Sequence, residues 1–474
     1  MIEVLQKAVE YGEKLGAQFV DARYDDLTLR TLERTDDTWK DIQVKSRMGV
    51  GITCYVEGVS GYSFTASSTM KEVRAAAQKA FKMARASAPA AELRLPITKG
   101  SPSKSAPSDT LRVKIHPSER DLAYKVDLVN RTIEAAREHG ANIKNVRGLY
   151  GELHGRKIFT NSEGSSVDWN YLVTDMRCFV ISKADSGALV IGLEGNGGTF
   201  GLEYFESKGN TPEDVGGEAG SRAKEQLKAQ PCPAGNLRAL IDERLAGVLA
   251  HESFGHLSEA DFVVTGASPL TNKIGSRLGT PEASILDSGL PDIRKTGGLW
   301  VPFDDQGVRG SSTTVLDKGV LLHYLHNRGT AERLSERPTG NSRAVSYVFP
   351  PIVRMTNTYF MPGNLSEQEA LEKLDTGVYA IQSSGGQVEG NGSFLFIAVR
   401  GYWVEHGEIK YPLREVALSG NILELLTRVE GATRDLHIQS GYFGGCGKGD
   451  QSPLPVGLGG PKIVIGNVTF GGKA

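Results

Sequence analysis

A chain of 474 residues exceeds what a single small core needs, and at roughly 100–200 residues per domain it predicts two or three folding units. The formal charge of -2, from 54 Lys plus Arg against 56 Asp plus Glu, supplies no basic field for phosphate backbones, so no direct nucleic-acid partner is expected. Apolar runs fall far short of the ~20 residues that span a bilayer, and Met1–Lys7 has no secretion-signal layout, so no membrane partner is expected and the chain reads as cytoplasmic. Cysteines at 54, 178, 232 and 446 are too few and scattered to staple a domain, in keeping with a reducing compartment.

Ile2, Leu5, Ala8, Val9 and Leu15 share a helical face that ends near Gly16. Runs such as 26–32 and 51–56 read as strands between Asp and Gly turns, and Ser67-Ser68-Thr69 caps a helix to about Ser87. Between about 88 and 118 the composition shifts to Pro, Ser and Lys (Pro89, Pro96, Pro102, Pro107, Pro117), which predicts an exposed, mobile connection. Ser118 with Glu119 opens another helix through Glu138, with Gly140 as its stop. Strands and turns return over 143–206, with a hairpin loop at 161–164 and a buried strand at 187–192. Thr211-Pro212 launches a helix to about Ala229, and Pro231-Cys232-Pro233 marks the best domain boundary. Helix, strands, helix occurs twice before that boundary, which suggests duplication. The expected class is α+β: an α/β domain over 1–232 with helices flanking β-sheets, then a β-rich domain over 233–474 built from short strands and one motif helix.

That helix, 243–258, contains His251-Glu252-Ser253-Phe254-Gly255-His256. Histidines four apart stand about 40° round a helix and can share one ion, whereas the five-residue spacing here separates them by about 140° on a regular α-helix. A π-bulge or break would reunite them, and Gly255 has the backbone freedom for it, so a distorted metal-binding helix is predicted. Glu252 can hold and deprotonate a metal-bound water. Catalytic zinc needs a third protein ligand; Glu259 and Asp261 lie near in sequence, while Cys446 lies far away in a glycine-rich loop where Lys448 would favour thiolate. Spacing alone does not choose between them.

Other residues admit bland and functional readings side by side. Glu259 and Asp261 are second carboxylates behind a ligand histidine or a solvated turn. His323 and His326 read more readily as structural or exposed than as substrate contacts. Asn341 and Arg343 either tie two strands together or bind a peptide carboxylate. The glycines around Gln387 turn the chain or cradle a substrate backbone. Cys54, Cys178 and Cys232 are assigned to core or linker positions.

The run from His251 to Asp261 resembles the TldD family of metallopeptidases. So do the blocks 303–308 with Gly310, 338–343, 354–358, 385–388 and 446–451 leading to 455–457. The resemblance implies a dimer, a zinc ion held by His251, His256 and Cys446, and Glu252 as catalytic glutamate. It implies unfolded proteins or peptides as substrates, and a possible heterodimer with a TldE (PmbA)-like sister subunit that lacks the histidine motif. The expected function is therefore a zinc-dependent peptidase in which Glu252 activates a zinc-bound water. The alternatives are a non-catalytic regulator of gyrase-modulator type with a structural zinc, and a thiol-based role for Cys446 activated by Lys448.

Overall fold

The protein, a computed structural model, is described over residues 1–97, 100–106, 111, 113–140 and 142–471. Helix α1 (Ile2–Lys14) buries Leu5, Ala8 and Val9, the face its periodicity predicts. Strands β1 (Phe19–Thr35), β2 (Thr38–Val56) and β3 (Val59–Thr65) follow, then α2 (Met70–Ser87). The pattern repeats as α3 (Leu122–Arg137), β4 (Ile143–Asn161), β5 (Ser166–Lys183), β6 (Leu189–Gly198) and α4 (Pro212–Gln226). All six strands form one sheet in the order β3-β2-β1-β4-β5-β6, so two like units meet at the antiparallel β1–β4 pair. Each unit has its own core: Leu5, Val20, Ile52 and Ala77 in the first, Val129, Ile133, Val180 and Ala219 in the second. Leu27, Leu153 and Val173 belong instead to a cluster with Leu299 and Val301, and Phe159 and Trp169 join Phe303, so the second half of the chain also covers this sheet.

Three local expectations change. Helix α3 begins at Leu122, not Ser118, because Glu119 is used in a short 3-10 turn, Pro117–Glu119, and Asp121 caps α3 by accepting the Tyr124 N–H. The strand expected to be buried at 187–192 is the edge strand β6, whose Leu189 and Ile191 are 65% and 41% exposed, because α4 covers only its other face. The proline-rich stretch is tied down where it is described: Ser166 N–H donates to Ser103 O, and Asp168 N–H to Ser105 Oγ. Pro107 lies outside the described residues.

From residue 230 the chain builds different sheets. An eight-stranded sheet includes β7 (Gln230–Pro231), β8 (Gly235–Ile241) and the hairpin Gly377–Val388/Ser393–Glu405, and a six-stranded sheet includes Ile285–Ser288, Asn357–Phe360 and Gly457–Gly460. Leu245, Leu249 and Phe254 of the motif segment share one core with Val353, Met355 and Phe396. Contrary to the expectation of short strands and one motif helix, the motif helix is not the only helix here. Glu367–Leu374 is another, and its Ser366/Glu369 capping box was present in the sequence as a start signal. The class is α+β, as predicted. Among the described residues no helix is long and apolar enough to cross a membrane.

Candidate metal centre

The motif segment starts from a buried cap. Asp242 Oδ1 accepts the Leu245 N–H at 2.9 Å, opening α5 (Glu243–Val248), and the Gln382 N–H at 3.0 Å from the neighbouring hairpin. After Val248 the helix widens into a π-helical turn, Leu249–Gly255, and the His256 N–H donates to His251 O. A bond between residues five apart places them one above the other, so the two imidazoles meet with centroids 5.1 Å apart. The distortion predicted from the spacing is present. Gly255 serves it differently from expectation: its backbone is not left-handed, and what requires glycine is Met355, whose Sδ would lie 2.1 Å from an added Cβ.

Cys446 arrives on a short hairpin, Cys446–Lys448 paired with Gln451–Leu454, and its Sγ lies 3.2 Å from His256 Nε2. One donor atom from each of His251, His256 and Cys446 falls within 4.8 Å of the others, a group that could hold a metal ion. His251 is 1% exposed, and neither ring nitrogen has a hydrogen-bond partner among the described residues. A buried imidazole left unpaired is costly unless something else occupies it. Burial pushes the Cys446 thiol up, but His251 and His256 outweigh burial and bring it to about 5. Burial also pulls His256 down, while the Glu259 carboxylate and Cys446 hold it well above the usual histidine range.

Glu259 and Asp261 do not join this group. Glu259 Oε2 lies 2.9 Å from His256 Nδ1 and accepts from Lys448 Nζ at 3.0 Å, while both Asp261 oxygens accept from Lys448 at 2.7 and 2.8 Å. Lys448 therefore faces these carboxylates, and the thiol's depression comes from the imidazoles, not from Lys448 as the sequence suggested. Burial pushes the Glu259 carboxyl up, yet His256 and Lys448 keep it below its ordinary value, whereas burial leaves Asp261 raised.

The segment around 354 builds the surroundings, a role that sequence reasoning missed. Buried Arg354 donates to Cys446 O at 2.7 Å and Gln451 O at 3.2 Å, and Met355 packs on Gly255. Arg343 donates to Met355 O and Pro455 O, and Asn341 to Asp287 Oδ1 and Arg354 O, so both side chains are spent inside the protein. His326 is buried against Thr330 and pushed down to about 4, and His323 is half-exposed near Glu336. Burial raises Cys54 and Cys178 to about 12 and Cys232 to about 11, and all three are free thiols.

Glu252 is 40% exposed, with Oε2 3.8 Å from His256 Nε2. It lines a cleft of about 300 Å³ together with Val248, Arg177, Arg244, Gly385 and Phe396. Of the glycines around Gln387, Gly385 and Gly386 line the cleft. Residues 383–388 pair with the strand Ser393–Glu405 on one side, while the pairing with β8 on the other side stops at Ala380.

Residues 234–472 match the family profile described as the PmbA/TldA metallopeptidase C-terminal domain, residues 115–227 its central domain, and residues 22–84 its domain 1. A metalloprotease of Methanocaldococcus jannaschii is 34% identical over 467 residues, 97% of each chain. A zinc metalloprotease TldD homolog of Saccharolobus solfataricus is 36% identical over 248 residues, 52% of this chain and 54% of that one. Among solved structures, a Thermotoga maritima protein named for a proposed role as modulator of a DNA gyrase superposes with a TM-score of 0.79 at 22% identity, covering 99% of both chains. TldE from Thermococcus kodakarensis superposes with a TM-score of 0.78 at 15% identity, covering 99% of this chain and 100% of that one. At such identities these two establish the shared fold alone. With three family domains matched in order and a relative aligned over nearly its whole length, the chain belongs to the TldD/PmbA family.

Proposed function

We propose that the protein is a zinc-dependent peptidase acting on unfolded proteins or peptides, with His251, His256 and Cys446 as metal ligands and Glu252 as general base. The observation that carries this reading is the convergence of two imidazoles and one thiol within 4.8 Å. Three protein ligands of these types suit a tetrahedral zinc with one position left open. Zinc at such a site supplies Lewis acidity toward a carbonyl oxygen and makes water more acidic. His251 contributes a buried nitrogen that is otherwise unpaired, and Cys446, at about 5, is a thiolate at neutral pH. Glu252, reaching into the cleft, takes the proton from the attacking water and returns it to the departing amine. An extended peptide can pair its backbone with the free side of residues 383–388, which makes recognition depend weakly on sequence.

A structural-zinc regulator needs a closed fourth position. The nearby carboxylates that could close it, Glu259 and Asp261, are engaged with His256 and Lys448. The thiol-based alternative loses Lys448 as its activating cation, since Lys448 points to those same carboxylates. The working unit in this reading is a cytoplasmic dimer, either of this chain or with a TldE-like sister.

The test is cleavage of an unstructured peptide mixture by the zinc-loaded chain and by Glu252→Ala, with zinc quantified in both. Activity is expected to fall by at least 100-fold while one zinc per chain is retained. Undiminished cleavage by the variant would remove Glu252 from the mechanism. Absence of cleavage by both, with or without a TldE partner, would favour the structural-zinc regulator.

A further inference from the structure

Lys448 sits two residues beyond Cys446, on the same short hairpin, and is almost fully buried. Its ammonium group has three protons and four acceptors in reach: Glu259 Oε2 at 3.0 Å, Asp261 Oδ1 and Oδ2 at 2.7 and 2.8 Å, and Val353 O at 3.0 Å. The Phe262 ring covers it at 4.2 Å from the centroid. These acceptors belong to two other stretches of chain, the tail of the histidine motif and the strand that leads into Arg354 and Met355. The oxygen of Glu259 that meets Lys448 is the one that meets His256 Nδ1, which leaves Nε2 directed at Cys446.

We propose that Lys448 is a positioning residue that latches the Cys446 hairpin to the tail of the histidine motif through Glu259 and Asp261, setting the spacing between Cys446 and His256. The two ligand-bearing segments lie 190 residues apart in sequence; Arg354 ties the Cys446 hairpin to the motif only indirectly, through the neighbouring Met355 that packs on Gly255, whereas Lys448 bonds the hairpin directly to the motif's tail. A carboxylate on a ligand histidine also fixes which ring nitrogen is free, and removing such a partner typically lowers metal affinity by about 10–100-fold. Lys448 acts one step further out, by fixing that carboxylate. The inference rests on the zinc-site reading for its metal arm and on hairpin geometry alone for its thiol arm.

The experiment compares the full chain with Lys448→Met, Lys448→Arg and Asp261→Asn. Zinc affinity is measured by chelator competition, labelling of the metal-free protein by a small thiol reagent is followed over time, and melting temperature is recorded for each. Lys448→Met is expected to lose about 10-fold or more in zinc affinity and to label faster at Cys446. Lys448→Arg should recover much of both, and combining Asp261→Asn with Lys448→Met should add little to Lys448→Met alone. Should Lys448→Met fail to fold, Asp261→Asn, at a partly exposed position, carries the same comparison. Unchanged affinity and labelling in variants that fold would overturn the latch. If the wild-type chain binds no zinc, the metal-site reading fails, and the labelling comparison still decides whether Lys448 holds the hairpin.

Discussion

Gly255 matters for the atom it lacks. Its missing side chain lets Met355 lie against the π-helical turn, and an added Cβ would meet Sδ at 2.1 Å. Gly255→Ala is therefore expected to destabilise the protein by about 1–3 kcal/mol through overpacking, with a matching loss of metal retention under the proposed zinc reading, because the turn carries His251 and leads directly into His256. Pairing it with Met355→Ala should cost less than the sum of the two single changes. Strict additivity in denaturant titrations would mean that the two groups do not meet. At this scale the sequence was legible where one residue type meets one need: the five-residue spacing foretold a widened turn. It was misleading for Lys448, because proximity in sequence to Cys446 says nothing about which way a long side chain reaches. Arg354 stood out only as part of a family block, and neither its contacts nor those of Asp287 were legible, since their partners lie at sequence positions that no local pattern connects.

The motif helix as an element depends on its first residue. Asp242 is buried, and burial pushes its carboxyl up to about 6 against the pull of the Leu245 and Gln382 amides. A folded pKa above the unfolded value means that this group's contribution to stability is complete below about pH 4 and is lost as pH rises through about 6. Asp242→Asn keeps an acceptor without the charge. The stability of the variant relative to wild type should therefore rise between pH 4 and 6, by about 1–3 kcal/mol, and stay level above, as read from denaturant midpoints across that range. A flat difference would place the ionised form on equal terms with the neutral one. Elements with periodic faces, such as α1, were readable from sequence, as was α4 with its Thr211-Pro212 start. The exposure of Leu189 and Ile191 was not, because an apolar run cannot say whether its strand lies at a sheet's edge.

Over the whole molecule, charges buried between the N-terminal sheet and the later half of the chain bind the two parts. Asp305 meets Lys157 at 2.5 Å and Arg23 at 3.7 Å, and Arg328 meets Glu163 at 2.7 Å. Asp305→Ala would leave the buried Lys157 and Arg23 with Asp25, at 3.8 Å from each, as the one carboxylate within 4 Å among the described residues, and should cost about 3–5 kcal/mol. The proposed boundary near 232 adds a sharper form of the test: limited proteolysis should cut the variant around that position faster than wild type. Equal cutting would mean that the halves are held by their apolar contacts alone. The doubled arrangement about β1 and β4 was half-readable, from the order of elements but not from any residue-level repeat.

The separation of Cys446 from His256 also has a meaning in time. A ribosome adding roughly 5–20 residues each second needs about ten to forty seconds to make the intervening 190 residues. Throughout that interval the part of the chain that follows the motif is incomplete, and its core with the motif cannot yet close. The emerging chain then carries His251, His256 and Glu252 without Cys446, so under the proposed zinc reading the metal site is completed only when synthesis is nearly over.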